Sequence, residues 1–252
     1  MNLTYPLLEL RRTLRIWSST VFSVALPMLF FLVFGAMVPW GSVRLAHGDV
    51  AAQTMISLAT YGAITAAAGM AGSAALEQHQ GWGRQLALTP MTRGGFVRVK
   101  VFVALVVAAL PVAGVCGLGA LTGAGAEPRV WLLSPVLILL GSVEFACYGV
   151  AVGKLFRSEA AVGAASGLLV VLAFLGGAFV PLTGWLLDLA RFTPVYGVMA
   201  LARYPLTDGA TPTLSGELVQ DPLWLPVVNV GAWTLVLGAL AVLAARRGTR
   251  RA

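Results

Sequence analysis

Six stretches of this chain are each about 20 residues long and almost free of charge: Ser18–Val38, Thr54–Leu76, Val101–Leu121, Trp131–Gly153, Ala160–Val180 and Trp224–Ala245. A helix rising about 1.5 Å per residue needs roughly that length to cross the hydrocarbon of a bilayer. Transmembrane strands would alternate polar and apolar residues over about 10 positions, and no such alternation occurs. The expected fold class is therefore an all-α integral membrane protein with six transmembrane helices. Composition agrees: 58% of the residues are apolar and 11% charged, with a mean hydropathy of +0.86. A soluble core of this size could not hide that much apolar surface, which excludes a soluble enzyme, and a disordered chain is excluded too. The first stretch exceeds a signal peptide's apolar region, and no clear cleavage pattern precedes Arg44, so it is read as retained.

Charge then gives orientation. The formal net charge is +7, from 17 Lys and Arg against 10 Asp and Glu. Arg11, Arg12, Arg15, Arg84, Arg93, Arg98, Lys100, Lys154, Arg157, Arg246, Arg247, Arg250 and Arg251 fall in one set of connections. Arg44, Arg129, Arg191 and Arg203 fall in the other, with Asp49, Glu127, Asp188, Asp208, Glu217 and Asp221. The basic set marks the cytoplasmic side, so both termini are expected there. The basic excess is thus topology, and nucleic acid is not an expected partner.

The segments outside the spans have their own patterns. Leu3, Leu7, Leu10, Leu14 and Trp17 fall on one face of a helical wheel, opposite Glu9, Arg11, Arg12 and Arg15. That predicts an amphipathic helix at the membrane interface, its Arg heads meeting lipid headgroups. The loop Glu77–Pro90 carries Trp82 and Leu86 one turn apart and stops at Pro90, a short helix with an apolar anchor. Between spans five and six, apolar residues from Leu182 to Leu201 are broken by Pro181, Pro194 and Pro205, too short in each piece to cross. Such pieces read as an external re-entrant hairpin. The chain is then one transmembrane domain over 1–252: interfacial helix 1–17, spans one to five in 18–180, hairpin and loop in 181–223, span six and basic tail in 224–252.

Within the spans, Gly119/Gly123, Gly149/Gly153 and Gly163/Gly167 have the spacing that lets helices approach closely. Glu144 is the one acid placed well inside a span, either facing a pathway or packed and hydrogen-bonded. Cys116 and Cys147 lie in apolar runs without a CxxC or Cys/His pattern, and read as buried thiols. Catalytic motifs fail. Lys154 follows Gly153, but Leu155 and Tyr148 stand where a phosphate-binding loop needs a hydroxyl residue and a glycine. Ser166-Gly167 lacks the preceding glycine of an intramembrane serine protease, and His47 and His79 lie in loops on opposite sides. No pair of His, Asp or Glu has metal-ligand spacing within a span.

The order of these features resembles the ABC-2 type permeases, the membrane subunits of ATP-driven exporters, particularly the daunorubicin and multidrug branch. Two stretches carry the likeness. Glu77 to Pro90 resembles the family's loop of an acid, a Gly, a Leu run and a Thr-Pro ending, with Lys100 beyond it; His79-Gln80 departs from the charged residues usual there. Phe179-Val180-Pro181-Leu182, Trp185-Leu186, Ala190, Phe192-Thr193-Pro194, Tyr196 and Arg203 resemble its hairpin before the last span. The resemblance implies an ATPase-coupling segment at Glu77, Gly81, Trp82, Arg84, Leu86, Thr89 and Pro90. It implies a pathway or gate at Phe179, Pro181, Trp185, Phe192, Pro194, Tyr196 and Arg203, to which Glu144 is added as the intramembrane acid. It also implies two permease chains with two nucleotide-binding ATPase subunits in a bacterial cell membrane. The chain would have no cofactor or ATPase of its own, ATP and Mg being held by the partner. Its cargo would be hydrophobic drugs, antibiotics or lipid-like molecules, with polysaccharide or lipid-linked glycan as the alternative. A secondary transporter fits less well, because it would need more intramembrane ionisable residues than Glu144.

Overall fold

The computed structural model describes residues 7–8, 10–11, 17–77, 93–212 and 218–249, most of them helical. In chain order, α1 (Trp17–Phe31) runs into a π-helical turn (Leu32–Ala36), followed by β1 (Arg44–Leu45), β2 (Gly48–Asp49) and α2 (Val50–Glu77). Next come α3 (Arg93–Thr122), α4 (Pro128–Phe156), α5 (Glu159–Leu175), α6 (Gly184–Ala190) and α7 (Pro194–Thr207). The chain closes with β3 (Ala210–Pro212), β4 (Leu218–Gln220) and α8 (Trp224–Thr249). Among the described residues four helices are long and apolar enough to cross a membrane: Val50–Glu77, Phe102–Thr122, Pro128–Phe156 and Trp224–Arg246. Shorter apolar helices, Ser23–Ala36 and Glu159–Leu175, lie within the predicted first and fifth spans.

Local sequence sets the helix ends. Pro128 and Pro194 open α4 and α7, where a missing N–H costs no hydrogen bond. Arg157 and Asp208 close the same helices in the left-handed conformation. Span five is shorter than predicted. The apolar run continues to Val180, but the helix stops at Leu175, and Gly177 turns the chain at φ +68°. At 17 residues α5 is about 25 Å long, less than a bilayer core. The all-α expectation also needs a correction, since β1–β2 and β3–β4 form two small antiparallel hairpins. Both occupy polar connections, where backbone groups outside the helices must find partners.

α2 sits at the centre, against α1, α3, α4, α5 and α7. Four of its hydroxyls bond within the helix: those of Thr54, Ser57, Thr60 and Thr65 each donate to the carbonyl four residues back. α8 is peripheral, and Leu235, Val236, Leu240, Val242 and Leu243 on it are exposed. A continuous apolar face of this kind needs lipid or another chain against it. At the N-terminus Leu10 packs against Ala66, Val99, Val103 and Val107, while Leu7 and Leu8 are exposed.

Of the three glycine pairs, one makes the close approach its spacing suggested. A side chain on Gly149 would begin 2.0 Å from the Ala68 carbonyl, and one on Gly153 would begin 2.5 Å from that of Gly72. The backbones of α2 and α4 therefore touch. Gly163 and Gly167 face open space, and so does Gly123, while Gly119 packs against Met55. Gly149→Ala is expected to lower stability by about 1–3 kcal/mol, the usual cost of overpacking. Gly163→Ala and Gly167→Ala should be neutral or stabilising by up to about 1 kcal/mol, the usual gain of Ala over Gly inside a helix. Thermal unfolding midpoints of the three purified variants check this.

Candidate functional site

The coupling segment proper, Gly81, Trp82, Arg84, Leu86, Thr89 and Pro90, lies outside the described residues. The helices on either side of it are tied together. Lys100 Nζ on α3 donates to Glu77 Oε2 on α2 at 2.7 Å, with the Lys100 side chain largely buried. The predicted Glu77 is thus one half of an ion pair that closes the base of that segment. Lys100, noted in the sequence as lying near the next span, is the other half.

The segment read as a hairpin holds two short helices, α6 and α7, and the elbow between them is held by α8. Three consecutive carbonyls of the elbow accept hydrogen bonds from that helix. Asn229 Nδ2 donates to Arg191 O at 2.7 Å and to Thr193 O at 3.2 Å, and Trp233 Nε1 donates to Phe192 O at 2.9 Å. The Asn229 amide lies so close to Gly197 that any side chain there would collide with it. Asp221, just before α8, binds Arg191 Nη2 at 2.6 Å and accepts from the Tyr196 hydroxyl. None of these α8 donors was singled out in the sequence. An amide and an indole inside an apolar span were the available signal, because each needs a buried acceptor.

The predicted gate residues separate into three environments. Tyr196 is buried, bonded to Asp221. Trp185 and Phe192 are 76% and 77% exposed on the protomer. They do not stack with Tyr196 or with each other among the described ring pairs. Pro181 lies in the non-helical link before α6, and Pro194 starts α7. Phe179 instead anchors a different ring cluster. Its ring centroid lies 4.3 Å from Phe174, 5.5 Å from Phe30, 5.7 Å from Tyr61 and 6.2 Å from Phe34.

Arg203, counted by sequence among loop charges, is 9% exposed inside the bundle. Its Nε donates to Ser57 Oγ at 2.8 Å and its Nη2 to Gly177 O at 2.5 Å, joining α7 to α2 and to the turn after α5. Glu144 is 1% exposed on α4, and neither carboxyl oxygen has a hydrogen-bond partner among the described residues.

At the end of the bundle opposite the Glu77–Lys100 pair, three connections meet around His47. Its Nδ1 faces Glu127 Oε1 at 3.0 Å and its Nε2 faces Asp208 Oδ2 at 2.5 Å. The backbone joins in: His47 N donates to Leu206 O, and Glu127 N donates to His47 O, both at 3.0 Å. Asp49 caps α2 through Ala52 N and also accepts from Gly125 N at 2.7 Å. Both ring nitrogens of His47 are spent on carboxylates, and among the described residues no group of three ligands is placed to hold a metal ion.

Helices of bilayer length, with an apolar outer face on α8, are the architecture of a helical membrane protein. No family model matches the chain. It is similar to YvfS of Bacillus subtilis (strain 168), which carries a provisional name as a transport permease. The two are 25% identical over 219 residues, covering 84% of this chain and 87% of the relative.

The cap has a calculable response to pH. Hydrogen bonding to Asp208, then to Glu127, raises the His47 pKa above its ordinary 6.5. The same bond to His47 lowers the Glu127 pKa below 4.5. The His47 contribution is complete below 6.5 and is lost as pH rises through the raised value. The Glu127 contribution is complete above 4.5 and is lost as pH falls through the lowered value. The cap should therefore be tightest between these limits. Amide exchange at residues 44–49, corrected for intrinsic rate, is expected to be slower at about pH 6 than at about pH 8. His47→Gln should abolish the difference; a variant that keeps it would remove His47 from the cap's response.

Proposed function

We propose that this chain is the membrane-spanning permease subunit of an ATP-driven exporter of the ABC-2 type, which carries hydrophobic drugs or lipid-like molecules out of the cytoplasm or the inner leaflet. The observation that carries the reading is the broken hairpin: two short helices, α6 and α7, that come between α5 and α8 in the chain, with α7 packed against α2, α4 and α8 and its residues Val195 to Met199 buried. Helices too short to cross, enclosed by longer ones, suit a structure that opens and shuts rather than one that simply spans. The similarity to a named transport permease over most of both chains supports the same reading. α1 with its π-turn, and α5 together with the apolar residues that follow it to Val180, complete six spans, with both termini in the cytoplasm and the His47 cap outside.

In this mechanism the partner subunit binds and hydrolyses ATP, and a second permease chain completes the path. Movement of the segment between Glu77 and Arg93 reaches α2 and α3 together, because Glu77 and Lys100 clamp its base. α2 passes the movement to the hairpin through Ser57, whose hydroxyl receives Arg203 of α7. α8 holds the hairpin's elbow through Asn229 and Trp233. Trp185 and Phe192 then serve at the headgroup level or against the second permease, and Glu144 stands as the acid nearest the path.

Coupling and topology are tested separately. With the ATPase subunit co-expressed, Lys100→Glu is expected to reduce cargo-stimulated ATP hydrolysis and export several-fold, and adding Glu77→Lys in the same chain should restore part of both. Leu86→Asp should weaken co-purification of the ATPase. Export that persists with no ATPase subunit bound would overturn the reading. In a background with Cys116 and Cys147 replaced by Ala, single cysteines are introduced at the exposed positions Val43, Leu218 and Leu155. Those at Val43 and Leu218 should react with a membrane-impermeant maleimide in intact cells, and that at Leu155 only after lysis. Reaction at Leu155 in intact cells would reverse the topology.

A further inference from the structure

Arg203 has more charge than its surroundings use. A guanidinium carries five N–H donors and does not lose its proton. The two bonds that Arg203 makes go to neutral oxygens, Ser57 Oγ and Gly177 O. A glutamine amide could supply equivalent donors without the cost of burying a cation. Among the described residues no carboxylate pairs with it; the ion pairs present join other residues. Its Nη1 makes no hydrogen bond there, and it is not one of the sealed, unpartnered polar atoms. The Gly177 backbone lies beside that nitrogen. A side chain on Gly177 would begin 3.8 Å from Nη1, 3.6 Å from Val180 O and 3.7 Å from the Leu182 side chain, ordinary contact distances throughout.

The same two walls carry the Phe179 ring cluster. Ser57 and Tyr61 lie one turn apart on α2, and Gly177 and Phe179 lie two residues apart in the turn after α5. Of the five rings, those of Phe34 and Phe174 are about half exposed, so the cluster opens at the protomer's surface. A buried cation with an unused donor thus adjoins an aromatic surface that reaches the outside of the bundle. We propose that Arg203 and the Phe179 cluster form a binding site for an anionic amphiphile. Its oxyanion, carboxylate or phosphate, meets Nη1 beside Gly177, and its hydrocarbon lies along Phe34 and Phe174. As a cargo class this rests on the exporter reading, while the binding itself does not.

The experiment uses the full chain, without any ATPase subunit, in nanodiscs of phosphatidylcholine, and a diazirine-bearing palmitate as the probe. Adducts are expected on the peptides holding Phe30 to Phe34 and Phe174 to Phe179. Oleate and phosphatidate should compete, the relative strength of the two telling carboxylate from phosphate preference. Oleyl alcohol, which has the chain without the charge, should not compete, and neither should inorganic phosphate, which has the charge without the chain. Arg203→Gln is expected to weaken labelling at least about tenfold, the loss of a charge-assisted bond. Should that variant not fold, Phe174→Ala, which removes a half-exposed ring, should cut the yield several-fold in a folded protein. Adducts mapping elsewhere, equal competition by oleyl alcohol or by inorganic phosphate, or unchanged labelling in a folded variant would each overturn the site. Binding without export of such amphiphiles would count against the exporter reading and leave the site standing; export without this binding would do the reverse.

Discussion

In lipid, apolar side chains gain little by leaving hydrocarbon for one another, so helices associate where their backbones come close and dispersion contacts add up. The contact of α2 with α4 is of this kind. Gly149 and Gly153 expose bare backbone to Ala68 and Gly72, with no room for a methyl group between them. The rest of the bundle repeats the device. Gly62 on α2 receives Pro27 of α1 and Pro111 of α3, Gly141 on α4 receives Val198 of α7, and Gly197 on α7 receives Asn229 of α8. Each helix is located by a small residue on its neighbour. The contact between α2 and α4 is the centre of this arrangement, because α4 also packs against both α7 and α8.

Packing of this sort fixes position along a seam but resists sliding weakly, since a shifted seam still presents small residues. Polar ties at the ends supply what the seams lack. At one end Glu77 and Lys100 lock α2 to α3. At the other, His47 draws the connection before α2 to those beside α4 and after α7. Between them, Arg203 and Asn229 tie α7 to α2 and to α8 respectively. A movement introduced at the basic end would therefore reach the hairpin through specific hydrogen bonds, while the apolar faces slide.

Four of the six expected spans return among the described residues as helices long and apolar enough to cross, because bilayer thickness demands long apolar runs and such runs are rare by accident. Their ends were less legible in the sequence. Hydropathy continues past Leu175 to Val180, whereas the helix ends where Gly176 and Gly177 allow the chain to turn. Glycine spacing suggested three close approaches and located one, since spacing does not say which face a neighbour occupies. The His47 cap left no local pattern, as its partners stand 80 and 161 residues away. The signal that existed was compositional: six of the ten acids fall in the same set of connections between spans as this histidine. Arg203 was miscounted for a related reason. Summing charges over a connection treats every Arg as solvated, and a segment with helices of its own can bury one.

Burial means different things for Glu144 and Arg203. A carboxyl can meet a low-dielectric site by taking a proton, and as a neutral acid it asks only for hydrogen bonds. Glu144, sealed without a described partner, has that course open to it. A guanidinium does not have it, because its pKa stays beyond the physiological range. Arg203 must keep its charge and be compensated by something. Two neutral oxygens compensate only in part, which leaves a standing electrostatic demand at the junction of α2, α7 and the turn after α5. The demand would be met by whatever anion comes within reach, and the rings beside it favour one that brings hydrocarbon. If an anionic amphiphile binds as proposed, the buried base constrains its chemistry, and the buried acid sets a weaker condition.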